Sequence, residues 1–459
     1  MIQLPTAEVA SACLARRAAV SAGVGGAAFL LGAGLPRVRH YAANPFRFRA
    51  HSHFLYLTGA SLPGAYLLVE GARATLFVER PAADDALWHG ASPGVAALEA
   101  ALGLEVARVD ALPAALAGRS VASLPLPDRG SDEALAALLG RRLAPRALEG
   151  QDAALAEALI KARLCHDAAA IAEIRAAAAI TASAFEAGMR GTREGELEWV
   201  VRAEMERAII ARGVTHAYEP IVSTRGEVLH NHAHDHTMLA GDLLLADFGA
   251  ESPGFWASDV TRAWPVSARF SPTQRALYEV VLGAQRAAIA AVAPGIRYRA
   301  VHMAAARALT EGLVALGILR GDVDELVHDG VHALFFPHGV GHLLGLDVHD
   351  MEDLGDRAGY APGLTRATDF GLCYLRLDRA LTPGMVVTIE PGFYQVPAIL
   401  EDSDLCARAK GRLDRAALAR FADVRGIRLE DDVLVTPTGR ENLTQAIPID
   451  PDAVEARRA

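Results

Sequence analysis

Three histidines, His338, His342 and His349, fall within twelve residues of one another in the stretch FPHGVGHLLGLDVHD. His338 and His342 stand four apart, the spacing of a zinc-binding helix. No glutamate follows the first of them, and Gly339 and Gly341 lie between. The helical H-E-x-x-H pattern is therefore absent, and a glycine-rich loop presenting imidazoles fits better. Two other segments echo each other. Gly241–Asp247 and Gly384–Glu390 each run from a glycine through five mostly apolar residues to a carboxylate. Each is followed by a second acidic segment beside an apolar run, Ser258-Asp259-Val260-Thr261 in one case and Leu429-Glu430-Asp431-Asp432-Val433 in the other. A carboxylate at the end of a buried strand is costly unless a cation faces it. Four of them in two related strand pairs suggest one shared cation site. One imidazole with four carboxylates is a hard, oxygen-rich donor set, suited to manganese or a similar divalent ion more than to thiolate-type zinc. Two metals sharing bridging carboxylates would hold a hydroxide and polarise a carbonyl, so the residues alone point to a dinuclear metal hydrolase.

The elements that must position these groups are partly visible. Residues 1 to about 150 alternate short apolar runs (Ala27–Leu31, Phe54–Thr58, Ala65–Val69, Ala74–Val78) with Gly/Pro punctuation and with Ala/Leu stretches near 95–102 and 132–139. That alternation predicts an α/β domain. An Ala-rich helical block follows from about Asp152 to Gly213, with a break expected near Gly188–Gly191 and Ile171, Ile174, Ile180 and Phe185 at helical spacing. The boundary is placed inside it, giving domains over residues 1–155 and 156–459. The echo in the second half predicts a duplicated half-domain.

At roughly 150 residues per domain, 459 residues allow two or three domains and a sizeable core. Charge of 45 − 55 = −10 lacks the basic footprint of a phosphate-backbone binder, so nucleic acid is not an expected partner. Cys13, Cys165, Cys373 and Cys406 form no CxxC pair, which argues against a thiolate site or disulfide scaffold and suits a reducing cytoplasm. The run AAVSAGVGGAAFLLGAGLP after Arg16-Arg17 has features of a signal peptide. Its glycines and its length make a strand and turn the preferred reading, and no membrane association is expected.

At the acidic and histidine motifs the chain resembles a pita-bread-fold metallopeptidase of the aminopeptidase P and prolidase group. The matching stretches, in the family's order, are ADFGAESPGFWASDVTRAWPV, FPHGVGHLLGLDVHD, LTPGMVVTIEPGFY and GIRLEDDVLVT. Upstream, YAANPFRFRAHSHFLYLTG and TLFVERPAADDALWHG look like the family's creatinase-like N-terminal domain. The resemblance implies a two-domain α/β (α+β) protein whose pita-bread domain has pseudo-twofold halves. It also makes residues 18–34 the first strand region of the N-terminal domain. It places the five metal ligands on Asp247, Asp259, His342, Glu390 and Glu430, with Asp259 and Glu430 bridging. It implies two divalent ions, manganese first, with zinc, cobalt or magnesium as alternatives. By the same resemblance His349 steadies the tetrahedral intermediate, and His338 is the outer histidine of the HG-x-GH loop. His230 approaches the scissile region, Arg428 lies on the substrate side, and Tyr394 is a pocket candidate. Glu390 would both ligate metal and accept a proton. Homodimers or higher homo-oligomers are common in the group.

The implied activity is hydrolysis of the bond between an N-terminal residue and proline in a peptide, with a dipeptide-restricted prolidase as the alternative. Arg376, fourteen residues before Glu390, occupies the place where prolidases grip the carboxylate of a dipeptide, a task a guanidinium suits. A solvated arginine is the competing reading. A non-catalytic pita-bread binding module would have lost the ligands, and metal-free creatinase chemistry would have no use for them. Trp256 stands before the SD motif, where a differing pocket wall is expected. Tyr218 has an uncertain role, and the insertion near 395–425 is a candidate to shape the pocket or a dimer contact. The alternating tract His230-Asn-His232-Ala-His234-Asp-His236 could put four imidazoles on one strand face. A polar loop with only His230 in the pocket is the preferred reading, and His302, His328 and His332 are taken as structural.

Overall fold

The computed structural model describes residues 4–458 except 80, 82–83 and 145–146. The chain divides into two compact units, Met1–Ala169 with Met351–Arg357, and Ala170–Asp350 with Ala358–Ala459.

The first unit is built on a five-stranded sheet of β1 (Phe29–Gly32), β2 (Tyr66–Glu70), β3 (Arg73–Val78), β4 (Glu105–Arg108) and β5 (Ala122–Ser123), in the order β4-β3-β2-β1-β5. β1/β2 and β2/β3 are antiparallel; β3/β4 and β1/β5 are parallel. Leu30, Leu68, Phe77, Leu112 and Leu135 make its core. Two readings of local structure change. Phe54–Thr58 lies in a helix, Ser52–Thr58, all seven of whose residues are buried; a short apolar run does not by itself distinguish strand from buried helix. Residues 18–23 belong to the helix Ala7–Gly23 rather than to a strand region, and its Arg16 and Arg17 are buried. Arg16 Nε donates to Asp167 at 2.8 Å and Arg17 to the Leu57 carbonyl at 2.8 Å, so the arginines that flank the apolar run are structural ties.

The second unit repeats one plan twice: a helix pair, then an antiparallel strand pair ending in carboxylates. The first half has helices Ala168–Gly191, which begins just before the unit boundary, and Glu198–Ile210. They are followed by β6 (Ile221–Ser223), β7 (Leu243–Asp247) and β8 (Thr261–Pro265). The second has helices Pro272–Ala291 and Tyr298–Ala315, then β9 (Val386–Ile389), β10 (Gly392–Tyr394), β11 (Gly426–Arg428), β12 (Asp431–Thr436) and β13 (Gly439–Asn442). β9 and β12 pair antiparallel, as β7 and β8 do, and β10 pairs with β11.

The first helix of this unit runs to Gly191 and the chain is non-helical over 192–197, so the break expected near Gly188–Gly191 opens at the end of that stretch. Gly188 is there for packing: an added Cβ would meet Met205 at 2.8 Å, so its absence lets the two helices approach. Residues 168–191 are long and apolar enough to cross a membrane by composition, yet Ile174, Ala177, Phe185 and Met189 are fully buried within the protein. Helix Pro272–Ala291 starts on a capping box, Ser271 with Gln274, and has proline in its first turn.

Candidate active site

Strand direction brings the carboxylates together. Asp247 is the last residue of β7 and Asp259 lies two residues before β8; Glu390 directly follows β9 and Glu430 directly precedes β12. Antiparallel pairing puts the end of one strand beside the start of the next, so each hairpin presents two carboxylates at one edge. The loop 340–344 then runs beside β9. The backbone of Glu390 donates to the Val340 carbonyl at 2.8 Å, and Thr388 donates to that of His342 at 3.0 Å. Gly341 permits this approach, because a Cβ there would sit 2.2 Å from the Thr388 carbonyl oxygen. The glycines of the histidine loop thus serve to seat His342 against the strand.

His342 Nδ1 donates to the Leu343 carbonyl at 3.0 Å, which leaves Nε2 facing Asp259 at 3.4 Å and Glu390 at 3.8 Å. Donor atoms of Asp259, His342 and Glu430 all lie within 4.8 Å of one another. Around them, Thr261 donates to Glu430 at 2.6 Å, and Arg428 donates to Thr261 at 3.0 Å, to Asp247 at 2.5 Å and to Tyr394 Oη at 3.2 Å. His338 faces Tyr394 Oη through Nε2 at 2.8 Å and the Gly339 carbonyl through Nδ1 at 2.8 Å. The His349 ring packs on that of His342, with centroids 4.0 Å apart.

The electrostatics show what the protein itself does not supply. Burial raises the Glu390 carboxyl to about 7, with the Asp259 and Asp247 charges adding to burial against His342 and Arg428. Burial together with Asp259, Glu390 and Asp247 holds Glu430 well above the ordinary carboxylate range. Burial opposes the charge on His342, but the hydrogen bond and charge of Asp259 override it and raise the imidazole to about 9. Four carboxylates therefore share two cationic side chains, Arg428 and a protonated His342. The surplus negative charge, the oxygen-rich donors and the aligned His342 Nε2 all fit a divalent cation.

A cavity of about 550 Å³ opens on this cluster. Asp247, Asp259, His342, Glu390 and Glu430 line it together with His230, His338, His349, Arg376 and Arg428. Two expected contributors are placed elsewhere. Tyr394 is fully buried behind His338 and lies off the cavity wall, as does the buried Trp256. Arg428 reaches the cavity, but its three nitrogens are engaged by Thr261, Tyr394 and Asp247. Ile399 is the contribution of the 395–425 insertion to the lining. His302 and His332 are buried away from the cavity, their rings 6.1 Å apart.

Sequence reasoning left the role of Tyr218 open and missed two further contributors. Tyr218 Oη lies 2.5 Å from Asp247 Oδ1 and 2.5 Å from Asp259 Oδ1, bridging the two. No local signal marks it, since its partners are 29 and 41 residues away. Thr261 was within reach, being two residues after Asp259 at the point where the chain enters β8. Arg366, Phe370 and Tyr374 also line the cavity, from a segment with no regular period.

Fold and site together define a pita-bread metallopeptidase. The description of metallopeptidase family M24 matches residues 172–437, and that of the aminopeptidase P N-terminal domain matches residues 14–122. The chain belongs to family M24. A protein of Fusarium vanettenii described as a probable Xaa-Pro aminopeptidase is 33% identical over 422 residues, covering 89% of this chain and 86% of its own. The human Xaa-Pro dipeptidase is 32% identical over 422 residues, with 89% and 84% covered. Among solved structures, the Pseudomonas aeruginosa aminopeptidase PepP superposes with a TM-score of 0.79 at 30% identity, covering 100% of this chain and 99% of its own. Escherichia coli aminopeptidase P with the inhibitor Pro-Leu gives 0.78 at 28% identity, with 98% of each chain covered.

Proposed function

We propose that this chain is an Xaa-Pro aminopeptidase that hydrolyses the bond between an N-terminal residue and a following proline. The observation that carries the reading is the convergence of Asp247, Asp259, His342, Glu390 and Glu430 at one edge of a cavity also lined by His349. Those five side chains would hold two divalent ions, manganese first among the candidates. When bound, the ions supply Lewis-acid activation of the attacking water and of the scissile carbonyl.

The remaining work falls to side chains. Glu390, set on the cavity wall, takes a proton from the attacking water and returns it to the proline nitrogen as the C–N bond breaks. His349, whose ring packs at a tilt against His342, donates to the oxygen that becomes negative in the tetrahedral intermediate. His338 is held by Tyr394 and the Gly339 carbonyl, so Tyr394 acts through His338 rather than on the peptide. His230 and Arg376 flank the space left for the peptide, and Arg428 holds Asp247 from that side. A peptide nitrogen in proline carries no N–H, so recognition must rest on ring shape and on the carbonyl rather than on that donor.

Arg376 on the cavity wall favours one second reading, a dipeptidase in which its guanidinium clamps the free carboxylate of a Xaa-Pro dipeptide. Manganese-loaded protein presented with a Gly-Pro dipeptide and an Arg-Pro-Pro tripeptide separates the two. Faster tripeptide cleavage supports the aminopeptidase; cleavage of the dipeptide alone makes it a prolidase. If neither is cut by metal-loaded protein, both readings fall. Metal analysis of the same sample fixes the identity and the number of ions. A homodimer and a cytoplasmic location complete the reading; the first is testable by sedimentation, and the scattered spacing of four cysteines with no CxxC pair supports the second.

A further inference from the structure

The alternating tract 230–236 has a use that the chemistry above leaves untouched. Three of its imidazoles face away from the cavity, toward the edge of β6 and the start of helix Glu198–Ile210. His232 Nδ1 lies 3.3 Å from the Pro220 carbonyl, His234 Nδ1 lies 2.9 Å from that of Val222, and His236 Nδ1 lies 3.2 Å from Glu198 Oε2. Carbonyls only accept, so the first two histidines carry their proton on Nδ1. A two-residue step in the tract, from His232 to His234, matches the two-residue step between the Pro220 and Val222 carbonyls.

Glu198 closes the arrangement. It is completely buried, and its Oε1 accepts from Ser223 Oγ at 3.2 Å, from the Thr224 amide at 2.6 Å and from Thr224 Oγ1 at 2.9 Å. Its other oxygen meets His236. The amides of Glu198 and Trp199 in turn donate to the carbonyls of His236 and His234, each at 3.1 Å. One carboxylate therefore ties down both ends of residues 224–236. The middle of that segment brings Leu229 and His230 to the cavity wall. Apart from this clamp, the side-chain ties from the segment among the described residues are Asn231 to Ser223 Oγ at 2.9 Å, at the β6 end, and Glu227 with Arg425 at 2.7 Å. Val228 is 49% exposed, so apolar burial does little to fix the segment.

We propose that Glu198 and the histidine ladder 232-234-236 are positioning residues that hold His230 at the substrate cavity. The inference rests on the reading of that cavity as a peptide site. His234 has φ +54°, a conformation that asparagine tolerates better than alanine, and asparagine also keeps a donor near the Nδ1 position. His234→Asn is thus the conservative variant, and His234→Ala and Glu198→Ala the disruptive ones.

The test pairs hydrogen exchange over 224–236 with tripeptide kinetics in the full, manganese-loaded protein. Both alanine variants should speed exchange of the Thr224 amide and raise KM roughly tenfold, the scale of one lost buried hydrogen bond, with a smaller change in kcat. His234→Asn should restore both. In a His230→Ala background, His234→Ala should add nothing further, because it acts through His230. Unchanged exchange, unchanged KM in spite of faster exchange, or effects that add in the double variant would each overturn the proposal. Should Glu198→Ala not fold, His236→Ala removes the same tie more mildly. If the unaltered protein cleaves no Xaa-Pro peptide, the functional reading fails separately. Calorimetric binding of Pro-Leu then replaces KM as the readout of His230 placement.

Discussion

Glu430 and Asp431 are neighbours at the start of one strand, both buried, yet they lie in opposite electrostatic settings. Asp431 is closed off within the protein. Arg262 donates to it at 2.7 Å and Thr444 at 2.7 Å, Gln285 adds a third donor, and Arg262 itself is wholly buried with further bonds to the carbonyls of Thr261, Glu430, Ile447 and Pro448. Glu430 receives a hydroxyl from Thr261 and otherwise faces Asp247, Asp259 and Glu390. Alternation along a strand sends the two side chains to opposite faces, so one residue of register separates a finished structural pair from an open ligand. A carboxylate that the fold neutralises serves stability; one left among like charges is available to a cation from outside.

The harshest way to break this contrast is to remove an open-side ligand. Glu390→Ala or His342→Ala should lower hydrolysis by roughly 10³-fold or more, with circular dichroism unchanged, because the proton acceptor or the imidazole ligand is gone while the Arg262–Asp431 pair is left intact. Retained turnover in either variant would sink the two-metal reading. On the closed side the expected loss is stability. Arg262→Met strands Asp431 and should cost about 3–5 kcal/mol in urea unfolding, since a buried charge is left without its partner.

A smaller effect comes from occupancy. Adding a divalent ion at 100 times its dissociation constant should stabilise the protein by about 2.7 kcal/mol, seen as a higher Tm than in chelator. The chelated protein should also respond to pH. Glu390 has a folded value of about 7 against an ordinary 4.5, so the native state binds the extra proton between those values. Its contribution is intact below about 4.5 and is lost as pH rises through 7, so the chelated protein should weaken over that window and the metal-loaded one much less. A flat pH profile in chelator would show that the open carboxylates are not in fact uncompensated.

Much of the closed and open pattern is legible in the sequence, and the parts that are not share a cause. The acidic segments announce themselves because a carboxylate bordering an apolar strand is costly to bury without a cation facing it, whereas the choice of His342 among three nearby histidines came from the family resemblance. The repeated Gly-to-carboxylate segment likewise foreshadows the two matching hairpins. Helix and strand inside the short run Phe54–Thr58 could not be separated, since burial on all sides erases periodicity. The alternating histidines are readable as a face, but what that face meets is decided by β6 and Glu198, which are up to 38 residues distant. Supporting residues such as Tyr394 and Trp256 were expected on the wall because an aromatic near a motif is ambiguous; tertiary packing turns both inward. Residues that act through others leave little trace in local spacing.

Tyr218 offers the mildest and most discriminating probe of the open side. Its hydroxyl has one proton and two carboxylate neighbours at 2.5 Å, so it donates to Asp247 or to Asp259 while holding both in place. Burial and the charges of Asp247, Asp259 and Glu430 keep the phenol well above its ordinary pKa, so it remains a donor at any working pH. Tyr218→Phe removes the donor and keeps the ring. The fold should be unaffected, whereas the two carboxylates lose the group that fixes their spacing. Metal affinity, read by competition with a chelator, should fall by about 1–2 kcal/mol, some five- to thirtyfold. Thr444→Val makes the matching change on the closed side, taking a hydroxyl from Asp431. It should lower the urea midpoint and leave metal affinity alone. If the two variants instead behave alike, with both losing metal or both losing stability, then the strand does not separate a structural from a functional face and Glu430 and Asp431 belong to one connected network.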